Sequence, residues 1–220
     1  MTFVKKLIDE YKEGKQRYAR FGLLVLSSRI ILRLFKPVVS FYSERIYEKD
    51  LTGDEDISAL PPPGITMTLL PPDRHDELRA LSEYPDKDYI PKRLADGHTC
   101  FLAIGDDKIV FYAWGVMGER FFFDGTTTWP LRVKSNEAYI YNCFTAPEFR
   151  GRGIFPYILK EAARFYRDRS ASVLKAIVYG RNYASWRSFE KAGYTLSTKV
   201  RYMKFFFLKK PLYFKMGSKK

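Results

Sequence analysis

Apolar positions recur along this chain with two different periods, and the switches between them mark its elements. Residues 65–70 form a β-rich run, and Pro71-Pro72-Asp73 supplies a turn and a cap for a helix reaching about residue 82. A second helix fits residues 87–95. Residues 99–104 and 109–116 are apolar runs joined by Gly105-Asp106-Asp107-Lys108, the chemistry of a hairpin turn. Residues 137–145 read as a strand, 154–169 as a helix, 173–179 as a β-rich run and 182–192 as a helix ended by Gly193. Two closing strands fit 194–200 and 202–208. Phe121, Phe122, Phe123 and Trp129 stand before the 137–145 strand, either as core aromatics or as a loop beside a pocket. The periodicity by itself predicts a mixed α/β domain.

The first 60 residues follow another pattern. A polar, lysine-rich stretch leads into an apolar run from Phe21 to Phe35 that carries Arg29 and Arg33. A bilayer-spanning helix needs about 20 apolar residues, so this run is too short and too charged to span. No small-residue cleavage site follows, which argues against a secretory signal. At helical spacing Gly22, Arg29 and Arg33 share one line, with the leucines and isoleucines on the opposite side. Two destinations for that apolar side are open: its own domain or a second subunit, giving a homodimer, or an anionic membrane surface with the arginines at the headgroups. Pro37 ends the pattern, and the acidic 53–56 stretch with Pro61-Pro62-Pro63-Gly64 reads as a linker. The expected organisation is a basic amphipathic helical extension and linker at 1–62, a folded domain at 63–210 and a basic tail at 211–220.

With 220 residues and 46% hydrophobic content, the chain can bury a sizeable core. Its net charge of +13 is concentrated in residues 151–220, which hold 17 basic and 3 acidic side chains. Such a field attracts anions, among them coenzyme A, membrane phosphates, an acidic acyl carrier protein and nucleic acid. No recognised nucleic-acid motif accompanies it. Cys100 and Cys143 lie inside apolar runs as small buried hydrophobes, which suits a reducing cytoplasm, with the protein peripheral on the inner membrane surface if its helix lies there. With only His75 and His98 in the chain, neither a Cys–His pair nor a metal site is expected.

The strongest chemical signal is residues 144–156, where an apolar run ends in a glycine-rich turn and a helical pattern begins. Gly151 and Gly153 allow open backbone conformations that aim successive N–H groups at one point, just before a helix whose first N–H groups are unpaired. This is phosphate-binding geometry, and Arg150 and Arg152 add positive charge to it.

Arg150-x-x-Gly153, preceded by Thr145-x-Pro147, resembles the acyl-CoA-binding motif of the GNAT superfamily of N-acetyltransferases. The stretch from Asn182 through Ser185 to Lys191-Ala192-Gly193-Tyr194 is similar to the family's downstream helix. Two departures stand out: Phe155 replaces the motif's last Gly or Ala, and Phe189 replaces the Tyr that often serves as general acid. Over residues 63–210 the resemblance implies a mostly antiparallel central sheet flanked by helices and splayed at the strand before the phosphate-binding turn.

It further implies acyl transfer from acetyl-CoA or another acyl-CoA to a small-molecule primary amine, such as an amino sugar or an envelope precursor. Phe144, Thr145, Arg150, Gly151, Arg152, Gly153, Ile154, Phe155, Asn182 and Ser185 are then the cofactor-binding positions. Alternation along the strand puts Glu137, Tyr139, Tyr141 and Cys143 on one face, with Glu137 as the candidate base. Tyr139 stands where some family members carry a carboxylate. Two alternatives stay open for the leaving thiolate: Tyr183, Ser185 or Ser188 donates the proton, or the thiolate leaves unprotonated and solvent completes the step. The competing expectation is a catalytically degenerate module that binds CoA or scaffolds a partner at a membrane surface.

Overall fold

In the computed structural model the described residues are 39–53, 57, 59–81, 88–122, 131–205 and 212–217. The expected helix before Pro37, together with Phe123 and Trp129, lies outside them. The described residues divide into two compact units, one of 43–201 with 213–217 and one of 39–42 with 202–205 and 212. In the smaller unit, Tyr42 and Tyr202 stack with ring centroids 4.8 Å apart.

Strand β1 (Val39–Asp50) comes first and corrects the expectation that residues 1–62 are helical extension and linker. It pairs antiparallel with β8 (Val173–Tyr179), from Glu44 opposite Tyr179 to Asp50 opposite Val173. Its polar sequence hid it: Glu48 and Lys49 sit in the sheet because their partners do, as the 4.0 Å approach of Glu48 to Lys175 on β8 shows. β2 (Ile65–Leu69) then leads through a 3-10 turn at Pro72–Arg74 into α1 (His75–Leu81), and α2 (Tyr89–Ala95) follows. β3 (Thr99–Gly105) and β4 (Lys108–Met117) form the expected hairpin. Its turn residues Asp106 and Asp107 both take positive φ, which a short polar side chain tolerates.

β5 (Arg120–Phe122) and β6 (Leu131–Val133) make a separate two-stranded ribbon, and β7 (Glu137–Thr145) follows. After α3 (Ile154–Arg167), β8 and α4 (Tyr183–Lys191), one strand, β9 (Thr195–Phe205), stands where two were expected. No turn-forming residue separates Val200 from Tyr202, so the extended backbone continues. β10 (Leu212–Gly217) closes the order.

Seven strands run β9-β1-β8-β7-β4-β3-β2, with β10 beyond β9. On one face Ile158, Leu159, Ala162 and Tyr166 of α3 and Phe189 of α4 cover Phe101, Ala113, Ile140, Leu174 and Val178. Each buried Ile or Leu contributes about 1.5–3 kcal/mol. Those α3 positions recur at the three- and four-residue steps of a helix face, which is why the sequence reads clearly there.

The arrangement at the sheet's centre places the site. β7 and β8 are parallel and pair only from Glu137 opposite Val173 to Tyr139 opposite Lys175. Both strands continue, β7 along β4 to Thr145 and β8 along β1 to Tyr179, so they part beyond Tyr139. The parting coincides with a bulge: Tyr112 and Trp114 of β4 face Phe144 and Tyr141, so two residue steps on β4 meet three on β7. Asn142 takes up the extra residue with φ +48°. Such a bulge bends its strand, and here it opens a crevice.

Candidate active site

The crevice between β7 and β8 exposes one edge of β7 without a ladder partner and leads at Thr145 to the glycine turn. There Gly151 and Gly153 both adopt φ +80°, and a Cβ built on either meets nothing within 4 Å. The glycines answer a conformational need, and the space beside them is open. Gly153 is also the N-cap of α3, and it provides no side-chain cap. The Arg150 N–H donates to Pro147 O and the Tyr157 N–H to Gly153 O. Among the described residues, the N–H groups of Gly151, Arg152, Gly153, Ile154 and Phe155 find no backbone acceptor outside the helix. An uncapped helix N-terminus with a run of unspent amides has the geometry that can receive an anion such as a diphosphate.

Each predicted cofactor position has its own local partners. Arg150 Nε donates to Thr145 O at 3.1 Å, tying the guanidinium to the end of β7. The Arg152 guanidinium lies 4.7 Å from the Phe149 ring centroid. Ile154 is buried in the core. The Phe155 ring lies 5.3 Å from Phe111 and 5.5 Å from Phe189, so the bulky replacement in the motif packs into the core. Phe144 stacks on Tyr112 at 5.6 Å. The Asn182 side chain caps α4 by accepting the Ser185 N–H at 3.1 Å.

Phe189 sits among Tyr47, Phe155 and Tyr194, with no hydroxyl of its own. The Ser188 hydroxyl donates to Ala184 O, and Tyr183 is exposed beside Trp186.

The bulge overturns one expectation about β7. Tyr139 and Tyr141 do share a face, their rings parallel at 5.5 Å, but the extra residue turns Cys143 over to pack against the core. Burial pushes both cysteine thiols up, Cys143 included, so neither is a nucleophile at neutral pH.

Glu137 also has an occupation the sequence did not reveal. It is buried at the closed end of the crevice, 2.6 Å from Lys175 Nζ, and accepts the Lys134 N–H at 2.9 Å. Burial raises its pKa, but the hydrogen bonds from Lys175 and the Lys134 N–H, with both lysine charges, more than reverse this and leave it below the ordinary value. A carboxylate so engaged is poorly suited to take a proton from an amine.

Sequence reasoning missed the residues facing Tyr139 and Tyr141. Trp114 of β4 is opposite Tyr141, and its indole Nε1 is buried without a hydrogen-bond partner among the described residues. Arg93 of α2 lies over the rings of Tyr89, Trp114 and Tyr141 at 5.0–5.1 Å. His98 Nδ1 is 2.5 Å from Tyr141 Oη. The alternation along β7 was the only signal for this face; its partners arrive from other elements.

A family model described as the acetyltransferase (GNAT) family matches residues 67–194. Among solved structures, a GCN5-related N-acetyltransferase from Sphaerobacter thermophilus is 17% identical, with a TM-score of 0.57 over 80% of this chain and 56% of its own. A GCN5-related N-acetyltransferase-like protein from Streptococcus suis is 16% identical, with a TM-score of 0.53 over 81% of this chain and 67% of its own. A GNAT-family structure from Novosphingobium aromaticivorans is 17% identical at TM-score 0.52, again over 81% and 67%. The chain thus spans between 56% and 67% of these relatives. No curated protein matches its sequence. A glycine cradle at an uncapped helix, a central strand pair that opens toward it and a model match across both place the chain in the GNAT acetyltransferase family.

Proposed function

We propose that this protein transfers an acyl group from a coenzyme A thioester to a primary amine. The observation that carries the reading is the parting of β7 from β8 beyond Tyr139, which leads straight to the open turn at Gly151 and Gly153. The turn amides and the arginines hold the pyrophosphate, and the unpaired edge of β7 offers backbone groups to the pantetheine arm. Fixing the donor along a rigid strand supplies much of the rate, because the amine then meets a thioester already in place. Phe144, Thr145, Ile154, Asn182 and Ser185 act here through shape and capping, Arg150 and Arg152 through charge.

Glu137 serves this function by holding the closed end of the crevice, and Tyr139 lines the acceptor face beside it. The rings of Tyr112, Trp114, Tyr139 and Tyr141 are buried beneath that face, so they give it rigidity; the acceptor class proposed is an amino sugar or an envelope precursor. The basic last third of the chain supports a membrane surface or an acidic carrier as neighbour. Among the described residues, no helix is long and apolar enough to cross a membrane.

The second reading, a CoA-binding module without turnover, is favoured by the absent hydroxyl at Phe189. Calorimetric titration with acetyl-CoA and thiol release on an amine panel separate the two. Heat with thiol release supports transfer, heat without release on any amine supports the module, and no heat overturns both.

A further inference from the structure

The face of β7 turned away from α3 and α4 carries a hydrogen-bonded phenol–imidazole pair, Tyr141 with His98. We propose that Tyr141, hydrogen-bonded to His98, takes the proton from the acceptor amine and returns it to the leaving thiolate; the inference rests on the transferase reading above. Donor and acceptor must meet where β7 and β8 close. From Thr145 back to Tyr139 is six residues of strand, about 20 Å, along which an extended donor chain can lie before the paired backbone stops it. The reacting carbonyl is thereby confined near Tyr139–Tyr141. α3 and α4 cover one face of the sheet there; on the other Tyr139, Tyr141 and Trp114 are buried with Arg93 of α2 over the last two, and half-buried His98 is where this group reaches the surface.

On that face the Tyr141 hydroxyl and His98 Nδ1 lie 2.5 Å apart, the rings edge to face at 5.7 Å, and in the tautomer with Nδ1 unprotonated the phenol donates. The imidazole is the side chain that changes charge between about pH 5 and 8, which suits it to receive a proton through the phenol. The titratable and charged groups around the pair are Tyr139 on β7, Arg93 and Tyr89 on α2, Cys100 on β3 and Tyr166 on α3. The Arg93 guanidinium, 5.1 Å from the Tyr141 ring centroid, favours negative charge developing on the phenol oxygen.

The step balances without another reagent. The amine lone pair forms the C–N bond while a proton passes from nitrogen to Tyr141 Oη and the phenol proton passes to His98 Nδ1. The tetrahedral centre then collapses, the C–S electron pair leaves with sulfur, and the imidazolium proton returns through Tyr141 to the thiolate. The same relay thus does the work for which Phe189 has no hydroxyl.

The test measures thiol release from acetyl-CoA with glucosamine, spermidine and lysine, across pH, for the wild-type protein, Tyr141→Phe, His98→Gln and, as a control, His75→Gln. Calorimetry with coenzyme A is run on each. Expected are a roughly hundredfold fall in kcat/KM for Tyr141→Phe and His98→Gln, loss of the acidic limb of the pH profile in both, and CoA affinity within twofold of wild type. His75→Gln keeps rate and profile. A wild-type enzyme that turns over, with His98→Gln or Tyr141→Phe retaining more than half its kcat/KM or an unchanged acidic limb, overturns the relay alone. A wild-type protein that releases no thiol with any of these amines overturns the transferase reading and the relay with it.

Discussion

The two ends of β7 are built on opposite principles. At Glu137–Tyr139 the strand is paired on both sides and its carboxylate is locked to Lys175. At Tyr141–Thr145 it keeps one partner, bends at Asn142 and offers its other edge to the crevice. The first end spends a buried charge pair to keep two parallel strands together. The second leaves backbone polar groups without a ladder partner among the described residues, which is tolerable where a side chain, as Arg150 does for Thr145 O, or water or a ligand meets them. Within nine residues the strand passes from a clamp to an open edge.

The comparison can be broken most forcefully at the clamp. Glu137→Gln leaves the Lys175 ammonium without its close partner and is expected to destabilise the fold by about 3 kcal/mol, near the low end for a broken buried pair because Glu48 lies 4.0 Å away. Thermal unfolding measures the loss, while CoA affinity stays within twofold. The pH dependence sharpens the assignment. Because the folded-state pKa of Glu137 is depressed, its stabilisation is full above the unfolded carboxylate value of about 4.3 and is lost as pH falls through the folded value. The stability gap between wild type and Glu137→Gln is therefore constant at neutral pH and narrows under acid.

At the open end the expected signature is reversed. Arg150→Ala removes a charge fixed beside the cradle, and the dissociation constant for CoA is expected to rise roughly tenfold with little change in melting temperature. Gly153→Ala places a side chain at φ +80° and adds a methyl group to the open hollow. It is expected to cost about 1 kcal/mol of stability and to weaken CoA binding several-fold, as calorimetry will register. Smallest is Asn182→Ala, which deletes the cap of α4 and is expected to cost about 0.5–1 kcal/mol in denaturant unfolding. Should Arg150→Ala lower stability as much as Glu137→Gln while leaving CoA affinity intact, the division of labour along β7 is wrong.

What the sequence makes legible is what local chemistry dictates. The turn at Asp106-Asp107, the amphipathic α3 and the glycines of the cradle each carry their instruction within a few residues, and each stands where it was expected. The bulge does not announce itself. Asn142 tolerates positive φ, but nothing nearby says that the strand needs an extra residue there, and that residue decides which side Cys143 faces. The His98–Tyr141 pair joins positions 43 residues apart and depends on the β3–β4–β7 register. β1 is hidden for another reason: Ser43, Glu44, Arg45, Glu48 and Lys49 look like a solvated stretch, because their partners in β8 and α4 are remote in the chain.

The placement of β1 also governs when the molecule can become whole. Synthesis releases this strand before the neighbour it must lie against, β8, because everything from β2 to α3 lies between them in the chain. Until then its edges stay open, inviting pairing with another nascent copy. Closing so large a loop is slow as well, so the waiting interval is long. The charges along β1 do a second service in that interval, keeping the unfinished strand in water until its own partner arrives.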